Sequence, residues 1–102
     1  MVAGLLTVFI HLDGIDSLKD KRRIIKSTVE RLRSRFNISV AEIAAQDSKQ
    51  LAVIGIACVS NEGPYLNEQL DKIIGFIVND GRFFVGQIHR ETFPSNYELP
   101  RL

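Results

Sequence analysis

The chain has 102 residues, 45% of them hydrophobic and 25% charged, with one cysteine and a formal net charge of +1. That is one small globular domain. It excludes a disordered tail, a collagen-like fibre, a disulfide scaffold and the long chain that a large two-substrate cleft requires.

The opening MVAGLLTVFIHLDG has no basic leader region, and its apolar run from Val2 to Leu12 is too short to span a bilayer. It reads as a strand of a soluble, cytoplasmic protein. Leu6, Val8, Ile10 and Leu12 fall on one face and Leu5, Thr7, Phe9 and His11 on the other, both largely apolar, as in a central strand. Asp13-Gly14-Ile15-Asp16 is a turn. Ser17 is placed to cap a helix, with Asp20 three residues on as a capping-box partner. Leu18, Ile25, Val29, Leu32 and Phe36, widened by Ile24 and Thr28, give that helix its apolar stripe, and Asn37 ends it.

Ile38 to about Ala45 reads as a second strand and Gln46 to Lys49 as a polar hairpin loop. Leu51 to Val59 is nearly all apolar and fits another central strand. Pro64 sits near the first turn of a second helix whose stripe is Leu66, Leu70, Ile73, Ile74 and Ile77. Asn79-Asp80-Gly81 stops it. Arg82 to about Phe93 is a fourth strand. The expected fold is therefore α+β: a ferredoxin-like βαββαβ sandwich over residues 1–93, with a four-stranded antiparallel sheet and both helices on one face. Residues 94–102 form an extended C-terminal tail. The helix-free face is expected to carry Phe9, Ile54 and Ile56; the plainer alternative is that bulky polar neighbours such as Gln87 and His89 screen it adequately. An apolar face of that kind marks an interface, and a homodimer is the natural expectation.

Charge is unevenly placed. Ser17 to Phe36 holds eight basic residues against Asp20 and Glu30, a local charge of +6, while the remainder of the chain has five basic and ten acidic residues. Lys19, Arg22, Arg23, Lys26 and Arg33 form an outward stripe at near-helical spacing, suited to a row of phosphates. A solvated helix face is the plainer reading of the same residues. No aromatic residue interleaves with them in sequence, and the third strand has no aromatic at all. The base-stacking mode of RNA-recognition domains is thus not expected, and any RNA contact would read backbone or shape.

Other chemistry finds little support. His11 and His89, on antiparallel neighbours, are expected about 15–20 Å apart at ~3.3 Å per residue, too far to share a metal. Cys58 has no CxxC companion. The loop after the first strand, DGID, would repel the phosphate that an acylphosphatase cradles there. No phosphate-binding glycine motif is present. Neither enzymatic activity nor a cofactor is expected; small-ligand binding at a dimer cleft stays open on fold analogy alone, with no residue-level support.

Two segments resemble a known family. SLKDKRRIIKSTVERLRSRFNISVAE, Ser17 to Glu42, is similar to the signature of the YlxP-like family of small bacterial proteins of unknown function. LAVIGIACVSN, Leu51 to Asn61, resembles its third-strand segment, and the first strand with His11 before its turn also fits. The resemblance spans about residues 2 to 90. Family members often carry a tryptophan before the third strand, where this chain has Asp47-Ser48-Lys49-Gln50. The resemblance implies a ferredoxin-like fold and, because the family's genes commonly lie among those for translation and ribosome maturation factors, an association with RNA or a ribosomal particle. It brings no catalytic residue. The contrasting expectation is a homodimeric protein–protein interaction module that binds no nucleic acid.

Overall fold

The computed structural model describes every residue from Met1 to Leu102. Its elements follow the expected order: β1 (Val2–His11), α1 (Leu18–Arg35), β2 (Ser39–Ala44), β3 (Leu51–Ser60), α2 (Gly63–Val78) and β4 (Phe84–Pro94). The sheet order is β2-β3-β1-β4, with every neighbouring pair antiparallel. The strands with apolar residues on both faces, β1 and β3, are the central ones. This is the ferredoxin-like plan.

Local chemistry accounts for the element ends. The Ser17 hydroxyl accepts the Asp20 N–H at 3.1 Å, which satisfies one of the helix's unpaired donors. The Asp20 carboxylate instead lies 3.8 Å from the Arg23 guanidinium. Pro64 occupies the first turn of α2, and Glu62 caps that helix without a side-chain hydrogen bond. Gly81, with φ +87, supplies the left-handed residue that turns the chain out of α2. Ser95 to Leu102 adopt no regular structure, and the Ser95 N–H donates to the Met1 carbonyl at 2.8 Å.

The core lies between the sheet and the helices: Leu6, Val8, Ile10 and Leu12 from β1 and its end, Ile54, Ile56 and Cys58 from β3, and Leu66, Leu70, Ile73 and Ile77 from α2. Helix α2 covers β1, β3 and β4, and α1 lies over β2. The approach of α2 is close. A Cβ on Gly4 of β1 would come within 3.0 Å of Leu70.

Ile54 and Ile56 are buried beneath the helices, not on the helix-free face. Parity explains the difference: β3 is apolar at nearly every position, so its hydrophobicity cannot tell one side from the other. Val53, Gly55, Ala57 and Val59 take the helix-free side, because they pair with Phe9, Thr7, Leu5 and Ala3 of β1. Two bulges shape the outer strands. Ile43 is an extra residue in β2 between the Glu42–Ile54 and Ala44–Val53 pairs. In β4, Gly86 and Gln87 together oppose Phe9. The first bulge lays Ile43 over Gly55, where a Cβ would meet it at 2.9 Å.

Candidate nucleic-acid interface

The five basic residues singled out in α1 are all exposed. At about 100° per residue, Lys19, Arg22, Lys26 and Arg33 fall within an arc of about 60°, with Arg23 just beyond it. From Lys19 to Arg33 the row is about 21 Å long at 1.5 Å per residue. Arg33 locates this flank: its Nη2 donates to the Val40 carbonyl of β2 at 2.8 Å. The basic row thus runs along the side of α1 that overhangs the edge strand. Arg33 is consequently tied to the backbone by one of its donors. Arg33 and Arg35 also lie in the last turn of the helix, where positive charge complements the helix dipole.

One cation of the segment leaves the surface altogether. Lys21 is 0% exposed, and its Nζ donates to the Ala45 carbonyl at 2.6 Å and lies 3.1 Å from Glu42 Oε2. That oxygen is buried and has no aligned hydrogen-bond donor, so its partner is the ammonium charge, not a directed bond. Ala45 is the only non-glycine residue with positive φ, at 61°, a conformation that costs an L-residue about 1–2 kcal/mol. The ammonium therefore fixes a strained hairpin residue, neutralises a carboxylate and seats α1 on β2 in one arrangement. Residues 18, 21, 25, 28 and 32 recur at the spacing of a buried stripe. That was the available signal, and it was masked by the lysine's charge.

A second polar anchor joins the two helices. Arg82 grips Asp80 through Nε and Nη2, both at 2.7 Å, and donates to the Ser27 and Thr28 hydroxyls of α1, both at 3.1 Å. The guanidinium holds the Asp80 carboxyl below its ordinary value of 3.8, and Asp80 in turn raises the Arg82 pKa. Burial pushes the Cys58 thiol up, which leaves it a poor nucleophile at neutral pH.

The other flank of α1 differs in kind. Arg31 and Arg35 face α2 across an open groove of about 870 Å³ that is also lined by Phe36, Lys72, Gly75 and Phe76. Phe36 meets Phe76 edge to face, with ring centroids 5.8 Å apart. Arg35 lies over the Phe76 ring, 5.3 Å from its centroid. The fold thus brings aromatic rings to the basic helix even though the helix sequence itself does not interleave them.

The histidines stay apart. His11 pairs with Phe84, while His89 lies opposite Thr7, four residues back along β1. Four residues of strand are about 13 Å, somewhat less than the sequence suggested and still too far for one ion. His89 approaches Glu91 at 3.7 Å. His11 packs over Gly86, where a Cβ would sit 2.7 Å from its Nε2. On the same helix-free face, Val59 and Phe84 are 64% and 65% exposed, accompanied by Leu5, Ile43 and Phe93. Phe9 lies on this face as expected, and the other residues take the place of Ile54 and Ile56. No helix is long and apolar enough to cross a membrane.

What these features define is a small ferredoxin-like domain whose positive charge is concentrated on one helix and whose helix-free sheet face is apolar. The chain belongs to the family described as "Protein of unknown function (DUF503)", whose model matches residues 3–90. It is also similar to the Bacillus subtilis (strain 168) protein named "Uncharacterized protein YlxP", with 38% identity over 61 residues. That match covers 60% of this chain and 66% of the relative, just under two thirds of its length. The YlxP-like resemblance of the first helix and third strand agrees with both.

Proposed function

We propose that the protein is a non-enzymatic, cytoplasmic component that associates with RNA or a ribosomal particle through the basic row of α1. The observation that carries this reading is the coherent flank of Lys19, Arg22, Arg23, Lys26 and Arg33. All five are solvent-facing, and the structure anchors the helix beneath them through Lys21 and Arg82. A helix fixed in this way holds its cations at set spacing, which favours phosphates in a row over diffuse counterions. If about four phosphates are neutralised, log affinity falls with log salt at a slope of about −3.

The test is a low-salt titration against purified ribosomal subunits and total RNA, repeated with an Arg22→Glu/Lys26→Glu variant. Salt-dependent binding that the variant loses while keeping its fold is the expected result. Equal binding by the variant overturns the reading, as does no binding by either form.

A second reading rests on the helix-free face. Exposed Leu5, Ile43, Val59, Phe84 and Phe93, with half-buried Phe9 among them, give it an apolar surface, and a second copy of this chain is the occupant we propose for it. Sedimentation should show a dimer that Ile43→Asp with Val59→Asp dissociates. If a partner recovered with the protein survives nuclease treatment, the role is that of a protein–protein module instead.

A further inference from the structure

We propose that the groove between α1 and α2 is a phosphoryl-binding site, with Arg31 and Arg35 as the clamp and Lys72 as the opposing charge. The site lies across the helix from the basic row and does not depend on that row binding RNA.

The first observation is two unspent guanidiniums. Arg31 and Arg35 stand one turn apart on the same flank, a like-charge pair that costs helix stability. Neither guanidinium donates a hydrogen bond or forms an ion pair within the chain, and the Arg31 charge makes only a minor contribution to holding down the pKa of Asp80, which also lines the groove. Arg35 is already positioned: its guanidinium carbon lies over the Phe76 ring, 5.3 Å from the centroid, and Phe76 is braced by Phe36. A contact with the ring face uses none of the guanidinium's N–H donors as conventional hydrogen bonds, and a planar fork of donors matches a phosphoryl group's oxygens.

The second observation is the empty floor. Gly75 lies inside α2 and lines the groove. Its φ is not positive, and a Cβ there would meet nothing within 4 Å. Neither packing nor backbone conformation asks for glycine, and glycine weakens a helix interior. Its effect is to keep open the space between the cationic walls, so that a ligand can approach the helix backbone.

The remaining charges do not oppose an anion. Both oxygens of Asp80 are taken by Arg82. Lys72 pairs with Glu68 at 3.4 Å, but both side chains are exposed, and a surface pair of this kind yields easily. Three cations around one cleft call for more than the single charge of a carboxylate. The amides of Gln69 and Asn79 add neutral donors at the rim. The ligand class is therefore a phosphate ester, either a small free one or a phosphate of an RNA chain.

The test is a titration at low ionic strength, followed by amide chemical shifts of the labelled protein, with three probes: inorganic phosphate, adenosine monophosphate and a short single-stranded oligoribonucleotide without terminal phosphates. Saturable shifts should centre on Arg31, Arg35 and Gly75. Arg31→Gln/Arg35→Gln should weaken binding at least tenfold. Gly75→Leu puts a better helix former on the floor, at a position where a Cβ meets nothing within 4 Å, so it should abolish binding while leaving the fold intact. Arg22→Glu/Lys26→Glu should leave these shifts in place, which separates this site from the basic row. Binding of the first two probes alone assigns a free phosphate ester. Tighter binding of the oligonucleotide at the same residues assigns an RNA backbone. Saturable binding of none of the probes overturns the proposal, as does binding that survives both groove variants.

Discussion

The two helices cover the same sheet by different means. Helix α2 buries Leu66, Leu70, Ile73 and Ile77, all aliphatic, over the central strands. Helix α1 buries Lys21, Ile25, Thr28 and Leu32, so half of its buried face is polar, and it sits over the short edge strand β2. The first is held by shape and apolar burial, which is strong and carries little directional information. The second is held by Lys21, Arg33 and Arg82, each directed at particular acceptors. A helix covered in charge cannot be fixed by apolar contacts alone, and these three anchors give its outer surface a defined position.

Substitutions at four positions break or sharpen this contrast. Leu70→Ala should cost the most, about 4 kcal/mol, because Leu70 is 0% exposed and pressed against the backbone of Gly4; chemical denaturation measures it. Lys21→Ala should follow at about 3 kcal/mol, since it strands a largely buried carboxylate and the Ala45 carbonyl. If Lys21→Met costs nothing, the anchor is packing only and the contrast between the helices fails. Asp80→Asn should cost about 2 kcal/mol at neutral pH. Its pH dependence is the sharper readout. The folded-state pKa of Asp80 lies below 3.8, so its contribution is complete above that value and is lost as the pH falls through the lowered one. The variant should therefore lose less stability than the parent on acidification below about pH 4. Ser17→Ala should have the smallest effect, about 1 kcal/mol, seen as faster amide exchange in the first turn of α1.

Local chemistry made much of the fold legible in the sequence. The two-sided apolar strands, the Ser17 cap, Pro64 and Gly81 each mark an element or its end by a mechanism that works within a few residues. What stayed hidden depends on distance or parity. The side taken by Ile54 and Ile56 could not be read from a strand that is apolar throughout. The grip of Arg82 on Ser27 and Thr28 joins residues more than 50 positions apart in the chain. The groove likewise exists only once Phe76, Gly75 and Lys72 are folded beside Arg31 and Arg35. For the basic row, the sequence supplied the residues and their spacing. It did not show that Lys21 turns inward or that Arg33 reaches the edge strand.

The two bulges bear on a different matter, how the molecule behaves at high concentration. An open sheet ends in two rims of unpaired amide and carbonyl groups, and a straight rim is a template for adding further strands. Here each rim strand is interrupted, β2 at Ile43 and β4 at Gly86-Gln87, and on the β2 side the Arg33 guanidinium already occupies a carbonyl. The β2 rim is short and broken, and the β4 rim is continuous only from Ile88 to Pro94. The domain can thus expose an apolar sheet face while remaining a poor seed for fibre growth.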